Sequence, residues 1–184
     1  MGNKNEIQKT NRNIQTLSKS DFSKNYSPKN VMKYSGKIKT LNDAIKTQSS
    51  SIAKFKSIYG SEFIEAWVTI WLLYINDMLN LRRPMTEDQI ELCSVQIVDE
   101  YKLLKITDLA LLTKRIINGE YGEFYESLSI AKVMTFFRDY TEERLNTCAE
   151  NSLREHQNEK QNLNGYNVSK NVERWYKGKS ELSK

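Results

Sequence analysis

The chain has 184 residues, 39% of them apolar and 28% charged, with 28 Lys/Arg against 23 Asp/Glu for a net charge of +5 and a pI near 9.0. That length suits one domain of ordinary size. The longest apolar run, Ala66 to Ile75, sits between Glu65 and Asp77 and is too short to cross a bilayer, which leaves no membrane-spanning segment and makes the cytoplasm the expected compartment.

The charge is segregated along the chain. Residues 1–60 carry 12 Lys/Arg against 3 Asp/Glu, a net of +9; residues 61–150 carry 9 against 16, a net of −7; residues 151–184 carry 7 against 4, a net of +3. A basic pI ordinarily points to a polyanionic partner. Here it describes the two ends, while the stretch with most of the apolar residues is acidic.

In chain order, residues 1–40 are rich in Asn, Lys, Ser, Gln and Thr, with apolar residues such as Ile14, Leu17, Phe22, Tyr26 and Val31 widely spaced. Spacing of that kind buries too little surface to offset chain entropy, so a flexible basic arm is expected there. The start, Met1-Gly2-Asn3-Lys4-Asn5-Glu6, has no apolar stretch behind it and departs from the myristoylation pattern at Glu6. Order is expected to begin at Thr40, an N-cap, with Leu41, Ala44, Ile45, Ile52, Phe55 and Tyr59 at helical spacing up to Gly60. Ser61 can cap the next helix. From Phe63 to Leu81 apolar residues cover more than one helical face, as expected of the most buried helix.

Arg82-Arg83-Pro84 breaks that helix, and Thr86-Glu87-Asp88-Gln89 is a capping box that opens another, with Ile90, Cys93, Ile97, Val98 and Tyr101 on one stripe. After a break at Leu103 to Ile106, Thr107 is expected to cap a helix carrying Leu109, Leu112, Ile116 and Ile117 and ending at Gly119. A loop with two glycines and three aromatics follows, Gly119 to Tyr125. Ser129 then caps a last long helix running into the polar stretch 142–162. No run alternates as a strand would. The expected fold is all-α: a compact bundle of about five helices over 41–150, a flexible basic arm at 1–40, and at 151–184 a helix extension ending in a basic polar tail.

Most chemistries find no residues here. Cys93 and Cys148 lie outside any CxxC or Cys/His spacing, which argues against a zinc site and a disulfide framework. His156, the only histidine, sits in Arg154-Glu155-His156-Gln157 without triad partners. No Gly-rich loop precedes a Lys-Ser/Thr pair, so no P-loop is present. Glu142-Glu143 and Asp99-Glu100 are adjacent pairs that diverge on a helix, and Glu62 with Glu65 lacks the histidine of a di-iron motif. No catalytic residue, cofactor or metal is expected.

Partner contacts are better represented. Trp67, Trp71 and Tyr74 line one helical face, but no Lys or Arg lies between Glu62 and Leu81, so they are expected as core and not as a base-stacking platform. The helices around 87–102 and 108–118 could form a helix-turn-helix whose second member offers Lys114 and Arg115. The ends are stronger nucleic-acid candidates: Lys24, Lys29, Lys33, Lys37 and Lys39 alternate with Tyr26 and Tyr34, and Arg174, Lys177 and Lys179 surround Trp175 and Tyr176. In the glycine loop, Tyr121, Phe124 and Tyr125 are candidate protein-partner contacts.

Gln89-Ile90, the Glu100-Tyr101 to Leu104 segment, Thr107-Asp108-Leu109, Gly119-Glu120-Tyr121-Gly122 with Tyr125, and Tyr140-Thr141-Glu142-Glu143-Arg144 together give the stretch Gln89 to Arg144 a likeness. It resembles uncharacterised small helical proteins of Bacteroidetes phages and mobile elements, over about a third of the chain. More loosely, a helical core beside polar tails looks like phage helicase loaders. Taken with the charge layout, these likenesses lead to the expectation of a non-enzymatic phage or mobile-element accessory of DNA replication, its acidic core binding a protein and its basic tails nucleic acid. Two other classes fit the same layout: a virion structural or packaged protein, and a host-directed inhibitor acting by protein–protein interaction.

Overall fold

The computed structural model describes the backbone of residues 17–122 and 127–181, and the side chains of these except 161–169, 171 and 175–181. Eight α-helices and one 3-10 turn form among the described residues, and no strand does. The helices are α1 (Lys19–Asn25), α2 (Pro28–Tyr34), α3 (Leu41–Lys46), α4 (Ile52–Tyr59), α5 (Ser61–Leu79), α6 (Glu87–Glu100), α7 (Ile106–Ile117) and α8 (Ile130–Glu181), with the 3-10 turn at Ser35–Lys37. The fold is all-α. The bundle is not the expected one of about five helices: the stretch 41–59 holds two helices, α3 and α4, in place of one, and α1 and α2 form in the stretch expected as an arm.

α5 is the central helix. Ile64, Trp67, Val68, Trp71, Leu72 and Ile75 are buried along it, so Trp67 and Trp71 belong to the core, with their rings edge to face at 6.2 Å. Gly60, at φ 92°, joins α4 to α5 in a conformation that a side chain would resist. It stands at the N-cap position expected of Ser61, whose hydroxyl instead donates to Glu65 at 2.5 Å. At the other end Asn80 adopts the left-handed conformation, and Asn76 pairs with both the N–H and the carbonyl of Met85 at 3.0 and 3.3 Å. That pairing turns the chain into α6, which Thr86 and Gln89 open with the expected capping box.

Residues 17–40 do not behave as the flexible arm that their composition suggests. Phe22 on α1 is fully buried in an aromatic cluster, 4.8 Å from Phe55, 4.6 Å from Tyr59 and 5.5 Å from Trp67 between ring centroids. Trp67 Nε1 donates to the Tyr26 carbonyl at 2.8 Å, and the Tyr59 hydroxyl to the Leu17 carbonyl at 3.2 Å. One aromatic per short helix suffices when the partners lie on α4 and α5. Residues 1–16 lie outside the described residues.

The helix expected over 41–59 is interrupted at 47–51. Thr40 and Asp43 form a capping box at its start, but the Ser/Thr run after Lys46 turns its backbone toward the α6–α7 connection. Ile52 N–H donates to the Leu104 carbonyl at 2.9 Å, Ala53 N–H to Lys102 at 2.8 Å and Ile106 N–H to Ser50 at 3.2 Å. Lys105, not Thr107, is the N-cap position of α7; its N–H donates to Asp108, while the Thr107 hydroxyl donates to the Ala44 carbonyl at 3.0 Å.

α8 starts as expected, with the Ser129 hydroxyl accepting the Lys132 N–H at 3.3 Å. It buries Val133, Phe136, Phe137 and Tyr140, then runs past Asn151, whose amide bonds Asn42 at 2.7 Å, and continues helical to Glu181. A helix therefore occupies most of the region expected as a polar tail. Residues 152–181 are thirty in number, about 45 Å of helix at 1.5 Å per residue. None of the described helices is long and apolar enough to cross a membrane.

Candidate nucleic-acid interface

α1, α2 and α3 carry charge mostly of one sign. From Leu17 to Lys46 the chain holds seven lysines and two aspartates. One of those, Asp43, is committed to capping α3 and is held below the ordinary carboxylate range by the Thr40 hydroxyl and the N–H groups of Lys39 and Thr40. Ser18 caps α1 and Pro28 opens α2, and these local signals aim the lysines outward around a tight turn at Tyr26 and Ser27.

Lys24, Lys29 and Lys33 surround a hollow of about 370 Å³ whose other walls are Asn25, Ser27 and Asn30. Among the described residues no carboxylate lines it. Beside it, α2 and the 3-10 turn face the start of α7 across a groove of about 260 Å³, walled by Tyr26, Val31, Tyr34, Ile38, Ile106 and Ala110. Tyr34 stands at this rim with 70% of its surface exposed, and the Lys33 ammonium lies 5.5 Å from its ring centroid. The combination suits an anion that also carries flat apolar groups: ammonium groups for phosphates, an uncovered ring and an apolar slot for bases. Lys37 and Lys39 are exposed on the same segment and extend the positive rim.

Lys114 and Arg115 point elsewhere. The Lys114 ammonium donates to the carbonyls of Ser35 and, at 3.1 Å, Ile38, and burial lowers its pKa. Arg115 pairs with Glu143 at 2.5 Å and Glu120 at 3.4 Å and covers the Tyr140 ring. α7 also buries Leu109, Leu111, Leu112 and Thr113, so little of it is left to enter a groove of DNA as a recognition helix. Both cations work within the fold: Lys114 fastens the 3-10 turn of the basic end to α7.

Tyr121 of the glycine loop is half-buried against Phe136, 5.2 Å between rings, and is part of the packing. Phe124 and Tyr125 lie outside the described residues. Arg174 is exposed on α8; the side chains of Trp175, Tyr176, Lys177 and Lys179 lie outside the described ones. The lysine–tyrosine alternation in 24–39 was legible in the sequence. The groove floor from Ile106 and Ala110 was not, because those residues are some seventy positions away and look like ordinary core.

No family model matches the chain, and no curated protein and no solved structure matches it significantly.

Proposed function

We propose that the chain is a non-enzymatic nucleic-acid-binding adaptor, an accessory of DNA replication, that holds a single strand on its α1–α2 end and a protein on its acidic helices. The observation that carries this reading is Tyr34: a tyrosine left largely uncovered at the mouth of an apolar groove, with Lys24, Lys29 and Lys33 around the adjoining hollow. A stacking residue among lysines is what sequence-tolerant binding of single strands requires. The phage or mobile-element setting rests on the sequence resemblance alone.

Fluorescence anisotropy with a labelled single-stranded oligonucleotide over a range of salt tests the proposal. Affinity should fall linearly with salt on logarithmic axes. Replacing Lys24, Lys29 and Lys33 by Ala should flatten that slope by about 2, at roughly 0.7 for each phosphate no longer neutralised. Absent or salt-independent binding overturns it.

A further inference from the structure

α5 and α6 contain eight carboxylates and not one Lys or Arg. The two helices run antiparallel, with the Thr69 hydroxyl donating to the Ser94 hydroxyl at 3.0 Å across their seam and Asn76 bonded to Met85 further along. One residue outward from that seam hydrogen bond stand Ile70 and Val95, and about one turn along in the antiparallel sense stand Leu73 and Leu92. All four are exposed, Leu92 by 53%. Asp77, Asp88 and Glu91, also exposed, rim them. The outer face of this hairpin is thus an apolar strip in an acidic border, unlike the scattered apolar residues of an ordinary surface.

The chain carries a matching element at its other end. Beyond Asn151, α8 leaves the body, and residues 160–180 hold five Lys/Arg against one Glu. The sequence places Val168, Val172 and Trp175 at i, i+4 and i+7, one helical face, and Val172 is 47% exposed. Because α8 is one continuous helix, its end is carried about 30 Å or more from the body and cannot fold back on its own α5–α6 face.

We propose that the α5–α6 face receives the C-terminal part of α8 from a second copy of this chain. Val172 and its helical neighbours lie on Ile70, Leu73, Leu92 and Val95, and Arg174 faces the acidic border. The exchange is reciprocal, so a two-fold dimer closes on itself with both faces covered. This rests on the reading of the acidic helices as a protein-binding surface and is independent of the α1–α2 end.

The test uses full-length chain without nucleic acid, so it can fail while strand binding stands. Sedimentation should give a dimer at twice 21.5 kDa that dissociates as salt is raised. Leu92→Arg and, separately, Val172→Glu should each weaken it at least tenfold with the helical circular dichroism unchanged. Two further preparations, Leu92→Cys and Val172→Cys, each with Cys148→Ser, should cross-link to each other through a short bismaleimide, and neither with itself. A monomer at every concentration overturns the proposal. So does a dimer that survives both charged substitutions, or the absence of the mixed cross-link.

Discussion

Arg144 Nε donates to Asp108 Oδ1 at 3.0 Å in a site where the carboxylate has no exposed surface and the arginine side chain keeps 12%. The same carboxylate accepts the Tyr140 hydroxyl at 2.9 Å and the Lys105 N–H at 2.8 Å. One aspartate therefore both opens α7 and locks it to α8. Burial, then the nearby Asp108 charge, pushes the Tyr140 phenol far above its ordinary pKa. Asp108→Ala leaves a buried guanidinium unpaired and is expected to cost about 3–5 kcal/mol in urea unfolding. The double variant with Arg144→Met should recover part of that loss, read as a coupling energy in a double-mutant cycle.

Phe22→Ala discriminates an integral α1 from a loose arm. If the aromatic cluster holds, the substitution should destabilise the protein by about 3–5 kcal/mol, the range for deleting a buried ring. A change below about 0.5 kcal/mol, the usual effect at a surface position, would mean that α1 contributes nothing to the body.

Tyr34 and Lys114 should respond in opposite ways. Tyr34→Ala is expected to leave thermal stability unchanged while weakening single-strand binding by about 1–3 kcal/mol, the value of one stacked base. Lys114→Ala takes the donor from the Ile38 carbonyl and leaves the Ser35 carbonyl with the Ile38 N–H alone, and should cost about 1–3 kcal/mol of stability with the salt slope of binding unaltered.

Cys93 has no exposed surface, and burial pushes its thiol from 9.0 up to about 12. A pKa raised in the folded state means that this contribution is fully present below about pH 9 and is lost as pH climbs toward 12. The slope from this one group is at most about 1.4 kcal/mol per pH unit. Comparing wild type with Cys93→Ala between pH 9 and 10 isolates it: the variant should lose stability less steeply. In the native protein at neutral pH, only Cys148 should react with a thiol reagent.

Local chemistry made several elements legible. Thr40 and Thr86 announce their helices because a capping box is complete within four residues, and Ser129 does the same for α8. What the sequence hid is long-range. Phe22 looks isolated because its neighbours are on α4 and α5, and the break at 47–51 follows from backbone bonds to 102–106 that no local pattern foretells. Lys114 and Arg115 looked available for phosphate because a one-dimensional count cannot see the Ser35 and Ile38 carbonyls or Glu143.

The reach of α8 also governs how the molecule moves through solvent. A packed body of some 135 residues has a radius of gyration near 14 Å, whereas the free part of α8 is about 45 Å long. Friction on a single chain is therefore set largely by a thin rod. It should elute from a sizing column ahead of its mass, and scatter X-rays with a long tail in its distance distribution.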